Sequence, residues 1–277
     1  MKRLENLLVA ALTSFCLLTI TVSCAAQNSS ESAPPSEPSQ APNAPAEGNA
    51  EKEPTLDEWL TKLENKAKEI KTLTAELRYD RINELLDSKE IRKGMFFYQA
   101  GPPRKFAAHF TFQLSNRRGV KIDKWWIYDA KWLVEKNVTD KFFKRYEVAK
   151  PSDADEDQTQ VLELGEGPFA IPIDFNKKTL LKKFNVELMK KSDIGPKNSI
   201  HLRLTPRHPE QVEETYFDLW YDRHTLLPTM VETVNEDQET RSIFKLTKPQ
   251  LNQEIEAKIF NTTPPKGNEW TIDEQRS

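Results

Sequence analysis

Histidine is the commonest metal-ligating side chain in proteins. The four histidines are His109, His201, His208 and His224. No two of them have the i, i+4 helical spacing typical of a metal site, and none stands beside a cysteine. The sequence also lacks the G-x-S-x-G, P-loop and G-x-G-x-x-G motifs. It therefore predicts no metal ligands, no catalytic residues and no cofactor.

One acidic pair keeps an enzymatic alternative open. Asp153 and Asp157 lie in a polar stretch, residues 151–159, which predicts a solvated loop. The two carboxylates of a glycosidase need only be close in space, so their spacing along the chain does not exclude such a site. We expect a protein that is not an enzyme, and a hydrolase with an unrecognised site is the alternative.

Cys24 is the residue whose position predicts covalent chemistry. Two basic residues at positions 2 and 3 precede an apolar stretch over residues 7–22, which predicts a secretory signal. A membrane-spanning helix would need about 20 apolar residues. The stretch ends in Thr-Val-Ser-Cys, which resembles a bacterial lipobox, although Thr21 replaces the usual leucine. We therefore predict a signal peptide over residues 1–23 and lipidation of Cys24.

The residue after Cys24 is Ala25, which in the enterobacterial sorting pattern resembles an outer-membrane address. We thus expect a periplasm-facing lipoprotein of the outer membrane, attached to the membrane through its N-terminus. An ordinary cleavage site at Ser23-Cys24-Ala25 is the alternative, and it would leave a soluble periplasmic protein.

Residues 24–54 predict a disordered linker between this anchor and a folded domain. Residues 25–54 contain six prolines and no Val, Ile, Leu, Met, Phe, Trp or Tyr, so they cannot bury enough apolar surface to fold. Residues 55–277 hold 37 basic and 37 acidic residues, within a whole-chain charge of −3. This balance excludes a strongly basic nucleic-acid binder, and the 30% of charged residues excludes an integral membrane bundle.

The sequence pattern of residues 55–277 predicts a folded domain with one helix followed by a large antiparallel sheet. Thr55 and Glu58 form a capping-box pattern ahead of an apolar face at helical spacing. Apolar residues then alternate with polar ones in about eleven short strands, the last at residues 256–260. Asn176 predicts the start of a short helix in the middle of the chain. The fold class is α+β and mainly β.

Five motifs occur in the order found in the outer-membrane lipoprotein carrier family, LolA, and its receptor relative LolB. They are Gly94-x-Phe96-x-Tyr98 with Pro102 and Phe106, residues 128–132 (YDAKW), Gly167-Pro168-Phe169, residues 216–222 (YFDLWYD) with Leu227-Pro228, and residues 260–267 (FNTTPPKG) before an acidic tail. In their order along nearly all of residues 55–277, these motifs resemble that family.

The resemblance implies an incomplete antiparallel β-barrel with a helical lid over an apolar cavity. Its expected ligands are lipoproteins or lipids, bound through their acyl chains by a monomer without covalent chemistry. The cavity residues would be Leu77, Tyr79, Phe96, Tyr98, Phe106, Phe110, Trp126, Tyr128, Trp132, Phe217, Leu219 and Tyr221. The lid residues would be Trp59, Leu60 and Leu63. A slip of one residue in a strand would invert this assignment of faces.

One departure from the family pattern bears on the expected role. The family's carrier has a lid-latching arginine just before the early proline, where this sequence has Ala100 and Gly101, with Arg104 two residues beyond Pro102. Together with the predicted anchor and linker, this favours a membrane-tethered acceptor over a diffusing carrier. An envelope sensor or regulatory module on the same fold is a further alternative.

Overall fold

The structure is a computed structural model that describes residues 53–115, 117–148, 171–173, 175–190, 195–211, 214–235 and 239–276. The predicted signal peptide, Cys24 and nearly all of the linker lie outside these residues, as do Asp153, Asp157 and the motif at residues 167–169. Among the described residues, no helix is both long and apolar enough to cross a membrane.

The first helix, α1 (Leu56–Glu69), begins at the predicted capping box. Glu58 N–H donates to Thr55 Oγ1 at 3.3 Å, and Thr55 N–H donates to Glu58 Oε2 at 2.7 Å. The negative charges of Asp57 and Glu58 in the first turn stabilise the helix by interacting with the positive end of its dipole. The second helix, α2 (Lys177–Lys183), is capped by Asn176, whose side chain accepts from Thr179 N–H at 2.9 Å.

Twelve strands form one sheet, close to the eleven that the sequence predicted. They are β1 (Thr72–Asn83), β2 (Ser88–Gln99), β3 (Lys105–Ser115), β4 (Arg118–Tyr128), β5 (Trp132–Asn137), β6 (Phe142–Glu147), β7 (Phe184–Leu188), β8 (Ser199–Pro206), β9 (Glu214–Asp222), β10 (Pro228–Asn235), β11 (Thr240–Leu251) and β12 (Thr271–Gln275). Their order is β12-β6-β5-β4-β3-β2-β1-β11-β10-β9-β8-β7. Every described pairing is antiparallel except that of β12 with β6. The edges β7 and β12 are not paired with each other, so the predicted incomplete barrel is confirmed.

The predicted last strand at residues 256–260 is wrong. Residues Ala257–Phe260 form a 3-10 turn instead, and the final strand is β12. Ile255, Ile259 and Phe260 all pack against the sheet, and their spacing fits a helical turn rather than the alternation of a strand. The chain uses this stretch to cross from the end of β11 to the far edge at β6.

The alternation of side chains gives the sheet two differently covered faces. We call inner face the one that carries Leu77, Phe110 and Leu219, which form one apolar cluster with residues of α1. We call outer face the one that carries Ala107, Ile127 and Phe143, which pack against Phe260 of the C-terminal segment.

Gly94 lets β2 and β3 approach closely where the inner face curves. The register shifts there, between Lys93 and Gly94. An added Cβ at Gly94 would lie 1.7 Å from the His109 carbonyl oxygen, so no larger residue fits this bulge without moving the backbone.

Candidate functional site

The inner face brings together nearly all of the residues predicted to line a cavity. Phe106 is partly buried and packs against the apolar cluster of this face. Nine others are buried within that cluster, namely Leu77, Tyr79, Phe96, Tyr98, Phe110, Trp126, Phe217, Leu219 and Tyr221. Tyr128 is buried and stacks on Phe106, with ring centroids 5.0 Å apart. The predicted lid residues Trp59, Leu60 and Leu63 are buried in the same cluster. The apolar surface therefore runs without a break from the sheet into α1.

Trp132 does not share this face, which corrects its grouping with the other eleven. The β4–β5 register pairs Tyr128 with Leu133 and Ile127 with Val134. Leu133 consequently takes the face of Tyr128, and Trp132 points the other way. It packs in the outer cluster, with the Arg145 guanidinium 4.1 Å from its ring.

Aromatic rings form the centre of the inner face. The Tyr79 ring lies 5.4 Å from Trp126 and 4.6 Å from Phe244, and Phe110 meets Trp126 edge-on at 4.9 Å. Such offset and edge-to-face pairs are favoured beyond the area they bury. They make the centre of the inner face mainly aromatic.

A charged group that the sequence analysis missed borders this aromatic centre. The guanidinium carbon of Arg92 lies 5.9 Å from the Tyr79 and Phe110 rings and 5.5 Å from the Trp126 ring. Arg92 is two residues before Gly94 and four before Phe96 on one strand and so shares their face, but its charge breaks the apolar alternation by which the sequence marks that face. Phe175 and Ile173, ahead of α2, were also missed and lie in the same cluster.

Most of the polar contacts that hold α1 lie at the rim of the inner face, where the side chains are partly exposed. Lys177 Nζ is 2.6 Å from Asp57 Oδ1, and Lys177 N–H donates to Glu64 Oε1 at 3.1 Å. On the other side, Arg223 Nη1 is 2.5 Å from Glu53 Oε1, and its guanidinium carbon is 5.4 Å from the Trp59 ring. Beneath the helix, Trp59 Nε1 is buried and has no acceptor within the described part of the chain.

Tyr221 and Tyr98 are two buried polar side chains of the inner face. Burial raises the pKa of Tyr221, whose hydroxyl donates to the Pro172 carbonyl oxygen at 3.3 Å. Burial also raises the pKa of Tyr98, against the smaller effect of the Arg104 charge. Both hydroxyls are therefore neutral near pH 7.

Two histidine–aspartate contacts lie on the outer face. His109 stacks on Trp125 and lies 3.0 Å from Asp123, and His201 stacks on Trp220 and lies 3.1 Å from an aspartate of β9. In the described ranges, no three His, Cys, Asp or Glu side chains are close enough to hold a metal ion.

No protein-family model and no curated protein matches this sequence. Among solved structures, an uncharacterized conserved protein from Thermus thermophilus has a TM-score of 0.45 at 8% identity, over 78% of this chain and 97% of that one. The Pseudomonas aeruginosa MucA/MucB complex has a TM-score of 0.38 at 15% sequence identity, over 77% of this chain and 62% of that one. A LolA superfamily protein from Nitrosomonas europaea has a TM-score of 0.34 at 12% sequence identity, over 73% of this chain and 97% of that one. Its structural neighbours thus include LolA-superfamily and MucB proteins, at low sequence identity.

The LolA-like motifs occupy distinct places in this fold. Gly94, Phe96 and Tyr98 lie on β2, with Gly94 at the bulge. Asp129 closes the β4–β5 turn by accepting from Trp132 N–H at 2.8 Å, and Ala130 takes the left-handed conformation, φ 75°, that favours glycine. Arg104 is half-buried, and burial lowers its pKa against the opposing effects of two tyrosines. The arginine that contacts the approach to α1 is Arg223.

Proposed function

We propose that this protein binds the acyl chains of lipoproteins or lipids on its inner face, as a carrier or membrane-tethered acceptor in lipoprotein localisation to the outer membrane. The observation that carries this proposal is the unbroken apolar cluster from the sheet to α1. An acyl chain placed between them gains about 0.8 kcal/mol for each CH₂ removed from water. The motif order that resembles the LolA and LolB families supports the same ligand class.

The way α1 is held supports its displacement by such a chain. The apolar side chains of α1, Trp59, Leu60 and Leu63, would exchange contact with the sheet for contact with the ligand, so little apolar area need return to water. The ion pairs that would be lost lie at the rim, where a pair is typically worth about 0–1 kcal/mol. We therefore expect α1 to open at low cost when a ligand takes over its apolar contacts.

The predicted anchor at Cys24 completes the proposal. A single acyl chain binds a membrane only weakly, whereas two or more anchor a protein stably. Palmitate labelling of the full chain, compared with Cys24→Ala, tests the anchor. Incorporation that is the same in both forms would contradict it, and fractionation of the membranes would identify the one that holds the protein.

The six tryptophans offer a direct test of acyl-chain binding. Trp59 and Trp126 lie in the inner cluster, whereas Trp125, Trp132 and Trp270 lie in or against the outer one. We expect a brominated fatty acid to quench tryptophan fluorescence saturably, because bromine quenches a ring only on close approach. Trp126→Phe should remove much of the quenchable signal.

The neighbouring residue supplies the matched control. Trp125→Phe changes the adjacent position on the opposite face and should leave the quenched signal intact. Absence of saturable quenching, or quenching that disappears with Trp125→Phe and persists with Trp126→Phe, would contradict binding on the inner face.

A further inference from the structure

The inner face changes from apolar to charged along its strands, toward the β1–β2 and β3–β4 turns. Cross-strand pairing places Leu77, Gly94 and Phe110 in one row, which continues to Lys124 on β4. The next row contains Tyr79, Arg92, Gln113 and Val120, and the row after it contains Arg81, Glu90, Ser115 and Arg118. Three arginines and one glutamate therefore stand at the end of an aromatic surface.

Arg92 is the charge that reaches the aromatic rings. Its side chain is 15% exposed, and its guanidinium lies beside three rings that attract a cation. Nε is 2.5 Å from Glu90 Oε1, an ion-pair distance without the alignment of a hydrogen bond. The closest approach to Glu90 is through Nε, which leaves the two terminal nitrogens as the donors that a ligand would use.

Gln113 adds a second available group at the same place. Its Nε2 donates to Glu90 Oε2 at 3.3 Å, but its Oε1 is buried and no described residue donates to it. A buried acceptor without a partner is costly. A hydroxyl beside a ligand's anionic group would satisfy it.

We propose that Arg92 binds the anionic head of an amphiphile whose acyl chain lies along the aromatic rows of the inner face. The inference rests on the proposed function and narrows its ligand to a lipid with a carboxylate or phosphate head. A guanidinium binds both oxyanions through paired N–H donors. The neighbouring Arg81 and Arg118, against the single Glu90, give this end of the face a positive balance.

The distances along β2 fit such a ligand. From Arg92 to Tyr98 the strand advances six residues, about 20 Å at roughly 3.3 Å per residue. One leaflet of a bilayer has acyl chains about 15 Å deep, half of a core of about 30 Å. A chain whose head is at Arg92 thus has apolar and aromatic side chains along its whole length.

The test compares amphiphiles that share one chain and differ in the head. Dodecanoate, dodecyl phosphate and uncharged dodecyl maltoside are titrated against the full-length protein by tryptophan fluorescence, and inorganic phosphate serves as the probe without a chain. We expect the two anionic heads to bind about 10- to 100-fold more tightly than the neutral one. Inorganic phosphate alone should bind far more weakly than dodecyl phosphate.

Three variants assign the preference to Arg92. Arg92→Met should abolish it while the neutral amphiphile still binds, and Glu90→Gln should increase the affinity for the anionic heads by removing a competing carboxylate. Lys93→Met removes the same charge from the adjacent, exposed position on the outer face and should change nothing. If Arg92→Met fails to fold, the opposite effect of Glu90→Gln still decides the question.

The outcomes separate this inference from the function on which it rests. Equal affinity for charged and neutral heads, or a preference unchanged by Arg92→Met or Glu90→Gln, would overturn the role of Arg92 and leave acyl-chain binding intact. Phosphate that binds as tightly as dodecyl phosphate would also overturn it. If no amphiphile binds, the proposed function itself fails.

Discussion

The two faces of this sheet are covered in different ways. The inner face meets α1 through buried apolar side chains, and most of the polar contacts of the helix lie at the rim. The outer face is crossed by residues 252–276, which end as a strand paired with β6. The inner cover, α1, is therefore attached mainly by apolar contact. The outer cover, residues 252–276, is attached by main-chain hydrogen bonds as well.

Specific polar contacts fasten the outer cover along its length. Thr262 Oγ1 donates to Asp129 Oδ2 at 2.5 Å, and Arg145 Nε donates to Glu274 Oε2 at 2.8 Å while its guanidinium covers Trp132. Hydrogen bonds require particular partners, whereas apolar contact accepts any apolar surface of suitable shape. The proposed function uses this difference: the outer cover would be a permanent part of the fold, and the inner cover is the part that a ligand would replace.

The largest effect is expected from Phe260→Ala, which removes the buried aromatic anchor of the outer cover. Phe260 is 5% exposed and packs in the outer cluster. We expect a loss of about 3–5 kcal/mol in the free energy of unfolding, measured by urea denaturation. Acyl-chain quenching of the remaining folded protein should be unchanged.

Ile272→Ala provides the control for this variant, because Ile272 on β12 is exposed. It should lower stability by no more than about 0.5 kcal/mol. If Phe260→Ala abolished acyl binding at an unchanged stability, the assignment of separate roles to the two faces would be wrong.

A smaller effect, with a distinct pH dependence, is expected at Asp218 on the outer face. Its carboxylate accepts from Arg203 Nε and Nη2 at 2.9 and 2.6 Å, and it faces His201 and Glu232 on the adjoining strands. Burial raises the pKa of Asp218, but the hydrogen bonds and charges of Arg203 and His201 outweigh burial and bring this pKa below its ordinary value.

The sign of the pH effect follows from this lowered pKa. The unfolded chain takes up the proton at about pH 3.9, before the folded protein does. The stability contributed by Asp218 is therefore present above that pH and is lost as the pH falls through the lower, folded-state pKa. Asp218→Asn should cost about 1–3 kcal/mol at neutral pH and should flatten the acid limb of stability measured by urea denaturation. As a control, Leu63→Ala on the inner face should lower the free energy of unfolding equally at neutral and at acidic pH. Identical acid limbs for the wild type and Asp218→Asn would contradict the pairing of Asp218 with Arg203.

Much of the inner face could be predicted from the sequence because alternation is a local property. The capping box at Thr55 and the aromatic alternation of β2 and β3 are written within a few residues of each other. What was missed depends on contacts distant in sequence. Trp132 changes face across a turn in which Ala130 has a positive φ, and β12 pairs with a strand about 130 residues earlier.

Arg92 was missed for a different reason. A charged residue at an inward position breaks the polar–apolar alternation, so the pattern places the start of the apolar strand after it. Only the cross-strand register shows that Tyr79, Phe110 and Trp126 surround it. Positions that break such patterns are where functional residues concentrate.

The smallest expected effect, from Thr55→Ala, tests the inner cover most directly. The variant removes the side chain that caps α1 and should cost about 1 kcal/mol of helix stability. If α1 opens on its own, this cost appears as roughly fivefold faster hydrogen exchange of the α1 amides. The strands beneath should keep their exchange rates, and acyl-chain binding should become faster.

Asn176→Ala removes the equivalent cap from α2 and serves as the matched control. It should speed exchange in α2 and leave the amides of α1 unchanged. If Thr55→Ala instead raised exchange uniformly across α1, the strands and the C-terminal segment, α1 would unfold only together with the sheet. Opening without loss of the sheet is what a replaceable cover requires, so that result would remove the distinction between the two faces.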